Sequence, residues 1–307
     1  MLTRLRVRNF KNLGSIDIEL GRTTVLVGPN NSGKTSALQA LALWKAGVDA
    51  IRSRALAQPP RWAAVLNRHD VTFAPVRDAE WLWKDALARM ADEAPIPIEI
   101  EVHSADQSGE WSFAASFHLE NAESILCRGS LALPSPNPSD EGTPLFPDLD
   151  RPVAFLPTMS GIAATEPEIA PGRINVLLGE GRTAEVLRNL CLRLAESKPE
   201  GWSSVVHHMQ AMFAVAIGAP HRNAARGEVV LTYDQNSRTF DISAAGRGMQ
   251  QTLLLLTHLH ANPGAVLSLD EPDAHLEIVR QREIYNVLTD TAAETNSQIV
   301  IASHSEA

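Results

Sequence analysis

The chain has 307 residues, 44% hydrophobic and 21% charged, which is enough apolar material for one large domain or two ordinary ones and excludes intrinsic disorder and a collagen-like chain. With 27 Lys and Arg against 36 Asp and Glu the net charge is −9, so the protein is no general polycation, and any DNA contact needs a local basic patch. Apolar runs are short and the opening MLTRLRVRNFK has no signal-peptide core, which predicts a soluble, cytoplasmic protein with no membrane contact.

Leu5 and Val7, then Ile16, Ile18 and Leu20, alternate around Asn12-Leu13-Gly14 and predict two short strands joined by a turn. A third strand over 24–27 runs into a glycine-rich loop, after which Ala37, Ala40, Leu41 and Trp44 place one face of a helix on a core. Residues 45–94 are irregular and helix-leaning, broken at Pro59-Pro60 and Pro75. Three antiparallel strands are predicted over 96–103, 111–119 and 124–133, followed by an exposed Pro- and Gly-containing loop at 134–147. A short buried strand at 153–156 ends at Pro157. Helices are predicted over 183–196, where Leu187, Leu190 and Leu194 share a face, and over 202–217, ending near Gly218 and Pro220. Strands at 229–233 and 239–242, a very apolar helix at 248–260, a strand at 265–269, a helix at 274–293 and a strand at 298–301 complete the pattern. Strand–helix alternation at both ends predicts an α/β fold with a mostly parallel sheet, to which the middle adds an antiparallel β subdomain and a helical lobe.

Residues 28–35 read Gly28-Pro29-Asn30-Asn31-Ser32-Gly33-Lys34-Thr35, the pattern GxxxxGK[ST] placed after a strand and before a helix. Glycines let backbone N–H groups converge on a phosphate, and the helix N-terminus adds partial positive charge. Lys34 would reach the β- and γ-phosphates, and the Thr35 hydroxyl would ligate Mg²⁺. Downstream, the apolar run 265–269 delivers Asp270 and Glu271 to the C-terminal end of a strand, the edge where open α/β sheets bind ligands. Asp270 suits a Mg²⁺ ligand and Glu271 a group that polarises the attacking water. A second apolar strand ends at Ser303-His304, and a histidine there can hydrogen-bond a γ-phosphate.

These strings resemble the ABC-type ATPase heads of SMC, RecF and OLD (overcoming lysogenization defect) proteins, and OLD ATPases most. Arg6-Val7-Arg8-Asn9-Phe10-Lys11-Asn12 is similar to their opening motif, Gly28–Thr35 to their P-loop, Asp270–Leu276 to Walker B plus D-loop, and Ser303-His304 to their switch histidine. The resemblance implies a P-loop NTPase using ATP and Mg²⁺, with Lys11, Asn12, Gly28, Asn30, Asn31, Ser32, Gly33, Lys34, Thr35 and Ser36 at the nucleotide. It implies Thr35 and Asp270 at the metal, and Glu271, Lys34 and His304 in catalysis. It further implies a head-to-tail homodimer or higher oligomer that sandwiches ATP, with DNA, a Toprim nuclease domain or an effector protein as partner, in DNA repair or antiviral defence. Because the P-loop and the acid pair must meet, residues 1–307 are expected to form one ATPase domain, with 45–150 as an insertion and 160–245 as helical lobe.

Two features depart from the family pattern. The signature is Ile242-Ser243-Ala244-Ala245-Gly246-Arg247-Gly248-Met249-Gln250-Gln251, with Ser243, Gly246 and Gly248 as the groups that would meet the partner's γ-phosphate, against the alternative of a flexible helix start. No Q-loop glutamine is evident in Phe155–Gly161, and no Toprim acids can be placed, so nuclease activity is not expected within these residues. Two function classes follow. One is an Mg²⁺-dependent ATPase whose dimerisation controls a DNA-processing or anti-phage assembly. The other is a nucleotide-gated protein-binding module with slow hydrolysis and no DNA contact, while a transporter subunit fits the signature poorly.

Lesser candidates have bland alternatives. Lys45, Arg52, Arg54, Arg61 and Arg68 against Asp49 make a local +4 that reads as a DNA patch or, more usually, a solvated helix face. Trp81 and Trp83 suit core or dimer surface better than base stacking. His207-His208 and the set Asp273, His275, Glu277 lack a full metal-ligand set. The two cysteines, Cys127 and Cys191, make no disulfide framework or Cys-based zinc site, and Cys191 reads as an inert buried thiol.

Overall fold

The structure is a computed structural model that describes residues 1–55, 62–90, 94–106, 109–132, 149, 151–157, 161–274, 276 and 278–304. The chain forms two units, Met1–Thr24 with Gly28–Val153, and Val25–Val27 with Ala154–Ala307. The predicted loop at 134–147 lies outside the described residues.

The N-terminal half contains β1 (Leu2–Phe10), β2 (Leu13–Glu19), β3 (Thr23–Val27), α1 (Lys34–Ala55), β4 (Ala63–Asn67), β5 (Ile98–Asp106), β6 (Gly109–Asn121) and β7 (Ser124–Ala132). All but β3 and α1 form one antiparallel sheet in the order β2-β1-β5-β6-β7-β4. The antiparallel subdomain is therefore twice the three strands that local pattern predicts. Its period-two alternation is regular: Leu5, Val7, Ile98, Ile100, Val102, Phe113, Phe117 and Cys127 are buried on one face. On the other, Arg4 meets Asp17 at 2.6 Å, Arg6 meets Glu101 at 3.2 Å and Arg8 meets Glu99 at 3.3 Å. Arg4, with Arg6, holds the Asp17 carboxyl down to about 2.

Helix α1 covers the apolar face. Trp44 donates from Nε1 to the Phe113 carbonyl at 3.0 Å, and the two rings meet edge-on at 6.2 Å. Glycine sets how closely helix and sheet approach: a Cβ at Gly47 would lie 2.7 Å from Cys127 Sγ, and one at Gly129 2.4 Å from Phe113 Cζ. The helix is buried around most of its girth, Leu38, Ala42 and Leu43 joining the predicted Ala37, Ala40, Leu41 and Trp44. The irregular, helix-leaning expectation for 45–94 holds as far as Ala55, where α1 ends, and needs correction beyond it, because β4 pairs with β7 and three 3-10 turns follow. Only Ala64 and Leu66 point inward from β4, too few positions to show a period in sequence.

The second unit carries β8 (Val153–Leu156), α2 (Pro171–Gly179), α3 (Leu187–Ser197), α4 (Pro199–Phe213), β9 (Ala216–Ile217), β10 (His221–Asn223), β11 (Glu228–Val230), β12 (Thr232–Gln235), β13 (Arg238–Asp241), α5 (Arg247–Ala261), β14 (Val266–Asp270), α6 (Ile278–Glu294) and β15 (Gln298–Ser303). Its main sheet runs β3-β15-β14-β8, with β14 and β15 parallel in the register Leu267↔Ile299. Leu267, Leu269, Ile299 and Ile301 pack in one core with Leu253, Leu256, Leu259, Leu190, Leu194, Val205, Ile284 and Leu288. Helix α5 is buried from Gly248 to Leu259, as its near-continuous apolar sequence predicts. The predicted helix 202–217 instead spans Pro199–Phe213, ending where Ala214 takes the left-handed conformation, φ +53°; Ala216–Ile217 is a strand on β12. The helix predicted from 183 begins at Leu187, after a single 3-10 turn. Neither α2 nor β10 was legible in sequence, and among the described residues no helix is long and apolar enough to cross a membrane.

Candidate functional site

The phosphate loop is built where β3 gives way to α1. Gly33 has φ +96°, and a Cβ there would lie 2.5 Å from Leu13 Cδ2, so only glycine lets the loop pass beneath the β1–β2 turn. The loop is also tied to that turn, Asn12 Nδ2 donating to the Asn31 carbonyl at 3.1 Å. Asn31 itself is left-handed, φ +63°. The Ala37 N–H reaches the Gly33 carbonyl at 2.9 Å and starts the helix, which has no acidic residue in its first turn to neutralise its positive end. Lys34 curls back, its ammonium donating to the carbonyls of Gly28 at 2.7 Å and Pro29 at 2.9 Å. Asn30, Asn31 and Ser32 are exposed, Thr35 is half-buried and Ser36 buried. Lys11 is directed elsewhere: its Nζ donates to Gln39 Oε1 at 2.8 Å, and burial lowers its pKa.

The acid edge lies at the end of β14. The Glu271 N–H extends the ladder to the Ala302 carbonyl at 2.8 Å, and Glu271 then turns into the left-handed region, φ +50°, immediately before Pro272. That conformation is uncommon for a residue with a side chain and needs support from its surroundings. It aims the carboxylate at His304, Oε1 to Nε2 2.5 Å. Both side chains keep over a third of their surface exposed, so the pair is open to solvent and substrate. An imidazole N–H on one oxygen orients the carboxylate and leaves the other oxygen to accept a proton. The turn is also held by Ser303, whose hydroxyl donates to the buried Asp273 carboxylate at 3.1 Å. Asp270, half-exposed, precedes the turn. Within its own unit each of the Thr35 hydroxyl and the Asp270 carboxylate is a hard oxygen donor of the kind Mg²⁺ takes. The glycine-containing loop at a helix N-terminus is, by itself, a backbone environment of the kind that phosphate groups take.

The signature-like segment begins α5. Ser243 sits in a 3-10 turn whose cap is Asp241, the Ser243 N–H donating to Asp241 Oδ1 at 2.8 Å. Gly246 is the N-cap of α5 and makes no side-chain cap bond, and Gly248 is buried in the first turn. A cavity of about 390 Å³ opens beside them, lined by Phe213, Tyr233, Arg247 and Arg280, with the Arg280 guanidinium 5.1 Å above the Phe213 ring.

Three buried polar residues to which the sequence reading gave no role organise this unit, two of them at the end of the signature-like segment. Gln250 Nε2 donates to the Ile242 and Ala245 carbonyls, both at 3.0 Å, and locks the 3-10 turn to the helix. Gln251 Nε2 donates to the Glu271 carbonyl at 3.1 Å. Arg188 of α3, 1% exposed, contacts Asp241 at 2.7 Å and Glu166 at 3.8 Å and donates to the Ala163 and Ala164 carbonyls. The available signal was polarity out of place, Gln-Gln in a leucine-rich helix and an arginine on an apolar helix face.

The other nominated residues resolve individually. Lys45 is buried and ion-pairs with Asp49, and Arg68 pairs with Glu123 at 3.1 Å, while Arg61 lies outside the described residues. Trp83 is buried and donates to the Ile96 carbonyl at 2.7 Å, whereas Trp81 is exposed. His275 and Glu277 lie outside the described residues, and among those described no His, Cys, Asp and Glu group of three or more could hold a metal ion. The stretch Phe155–Gly161 is described except at 158–160. Cys191 is fully buried, which pushes its thiol up to about 12 and makes it inert.

Comparison with known proteins finds similarity in sequence and in fold. Residues 1–53 match the family model "AAA ATPase domain", and residues 219–307 match "AAA domain, putative AbiEii toxin, Type IV TA system". The chain is 26% identical to the OLD nuclease of Thermus scotoductus over 99% of its own length and spans 59% of that relative's length. Among solved structures it resembles the Smc head domain bound to the C-terminal domain of ScpA from Pyrococcus furiosus, with TM-score 0.54, 14% identity, and 99% and 90% of the two chains covered. It resembles likewise an SmcHead bound to the C-winged helix domain of ScpA, with TM-score 0.53, 12% identity and the same coverage.

Proposed function

We propose that this chain, an ABC-type ATPase head of the OLD and SMC-like group, binds ATP with Mg²⁺, hydrolyses it, and uses ATP-driven head-to-tail dimerisation to control a DNA-processing or anti-phage assembly. The observation that carries this reading is the phosphate loop, with the Lys34 ammonium folded onto its carbonyls at the uncompensated N-terminus of a 22-residue helix. Backbone N–H groups of Asn30–Ser36 hold the phosphates, and Lys34 leaves its two carbonyls for the β- and γ-phosphate oxygens. Thr35 and Asp270 hold the metal, which supplies Lewis-acid polarisation of the phosphoryl group when bound. Glu271 takes the proton of the attacking water, and His304 keeps its carboxylate oriented. Ser243, Gly246 and Gly248 present N–H groups to the partner's γ-phosphate, and the partner of the assembly is a Toprim nuclease domain or another effector.

The test is steady-state ATP hydrolysis with light scattering. Lys34→Ala is expected to abolish turnover, and retained hydrolysis overturns the assignment of the loop. Glu271→Gln is expected to lower turnover by about 100-fold or more and to accumulate an ATP-bound dimer; a monomer unchanged by ATP overturns the sandwich. One observation favours a second reading, a nucleotide-gated protein-binding module without DNA contact: Arg4, Arg6 and Arg8 are already paired with Asp17, Glu101 and Glu99. No stimulation of ATPase by duplex ends at low salt supports that module, and stimulation supports DNA as the target.

A further inference from the structure

Helix α5 is mostly apolar from Met249 to Leu259, with two buried polar stretches, Thr257-His258 and Gln250-Gln251-Thr252, the latter all within 3% exposure. Successive helix residues point about 100° apart, so two adjacent glutamines serve two different loops. Gln250 secures the Ile242–Ala245 turn and Gln251 reaches the residue after β14. The Gln251 amide cannot be reversed, because its partner is a carbonyl and only the NH₂ group donates. Its oxygen, fully buried, has no hydrogen-bond partner among the described residues. An unpaired buried amide oxygen costs stability, and a methionine or leucine would fill the same volume without that cost. Packing therefore does not account for a glutamine here, whereas the position of Glu271 does.

We propose that Gln251 is a positioning residue for hydrolysis, whose buried carboxamide holds the main chain at Glu271 and couples the glycine-rich start of α5 to the carboxylate that accepts the proton of the attacking water. This rests on the ATPase reading above. The Glu271 carbonyl receives two donors, Gln251 Nε2 at 3.1 Å and the Ala274 N–H at 3.0 Å, which together fill its two lone pairs. Those bonds fix a left-handed backbone that would otherwise relax to a commoner conformation, and relaxation would swing the carboxylate away from His304. The same helical turn holds both glutamines, so any movement of the Ser243–Gly248 segment is transmitted through a rigid, buried helix to the Glu271 main chain. Engagement of the signature-like segment and orientation of the proton acceptor thus become one mechanical event.

Gln251→Met tests this in the full chain, with wild type, Lys34→Ala and Glu271→Gln measured alongside. Expected are a fall in kcat of about 10- to 100-fold from the misplaced carboxylate, an ATP KM and affinity for a fluorescent ATP analogue within about twofold of wild type, and a thermal midpoint equal to or above wild type. In the Glu271→Gln background the same change is expected to have no further effect, since it acts through Glu271. A kcat matching wild type overturns the proposal, as does a loss that multiplies with Glu271→Gln. A loss that comes with a lowered midpoint and weaker nucleotide binding marks a merely structural residue and also overturns it. Wild-type protein without hydrolysis overturns the ATPase reading and the proposal together; wild type active, Lys34→Ala inactive and Gln251→Met fully active overturns the proposal alone.

Discussion

Replacing Arg188 by methionine keeps the volume of the stem and deletes a buried guanidinium. In the wild type the Glu166 carboxylate, 2% exposed, has that guanidinium at 3.8 Å and accepts bonds from the Arg188 N–H at 2.9 Å, the Asn189 N–H at 2.7 Å and Asn189 Nδ2 at 2.6 Å. Burial dominates, and the Glu166 pKa is raised even with these partners in place. Without the cation Glu166 is an uncompensated buried charge, and the Ala163 and Ala164 carbonyls lose their donor, so the expected loss is about 3–5 kcal/mol near pH 8. For the second unit that is a fall in melting temperature of about 10 °C. The sign of the pH dependence follows from the direction of the shift. A carboxyl whose folded pKa lies above the unfolded value binds its proton more tightly when folded, so stability falls as pH rises from the unfolded value to the folded one. Arg188→Met raises the folded pKa further, so the charge penalty is full above that higher value and fades as pH falls back through the raised wild-type folded value. Urea unfolding at pH 8.0, 6.5 and 5.0 measures it. A loss below about 1 kcal/mol at pH 8, or a loss of the same size at all three values, refutes the reasoning.

Two further outcomes are open to the same unfolding assay. Burial holds His258 neutral with a pKa of about 4 against an ordinary 6.5, so the unfolded chain binds the extra proton and stability is lost as pH falls from 6.5 to 4. His258→Leu should remove about 3 kcal/mol of that acid sensitivity, and equal slopes in the two proteins would exclude His258 as its source. Gly129→Ala drives a Cβ to 2.4 Å from Phe113 Cζ and 3.0 Å from Ile51 Cδ1, which should cost about 1–3 kcal/mol. Gly172→Ala, with nothing within 4 Å of the new atom and a helical backbone, is the control expected to be neutral or slightly stabilising; similar losses in both would sink the close-packing argument.

The parts of the candidate site written as contiguous strings can be read off the sequence: the loop from Gly28 to Thr35, the acids at 270 and 271, and the histidine at 304. Each follows from a strand, a turn and a residue type within a few positions. The parts made by contacts between distant segments cannot. Gln251 meets Glu271 across 20 positions and Arg188 meets Asp241 across 53, and no local period encodes either pairing. The same applies to the fold. The alternation of β1 announces a half-buried strand, but that its partner is β5, with Val7 opposite Ile100, is decided by tertiary packing. Helix ends were missed where a single residue left the helical backbone, Ala214 for the left-handed region and Val186 at φ −129°, ψ 5°.

Strand β3 stands at one end of the order β3-β15-β14-β8, hydrogen-bonded to the strand formed by residues 298–303. During synthesis it emerges first among the four and must wait for the last of them. Six antiparallel strands can assemble from residues 2–132 in the meantime, but the segment that leads into the phosphate loop has no sheet to join. Thr23–Val27 is β-prone and uncharged, and Val25 and Val27 remain 46% and 55% exposed even when folded. Arg22 on one side and Pro29 on the other bracket it, the charge-and-proline arrangement that discourages a waiting strand from pairing with its neighbours on a polysome. The four-stranded sheet that carries the leading strand of the loop thus closes only after residue 303 has been made.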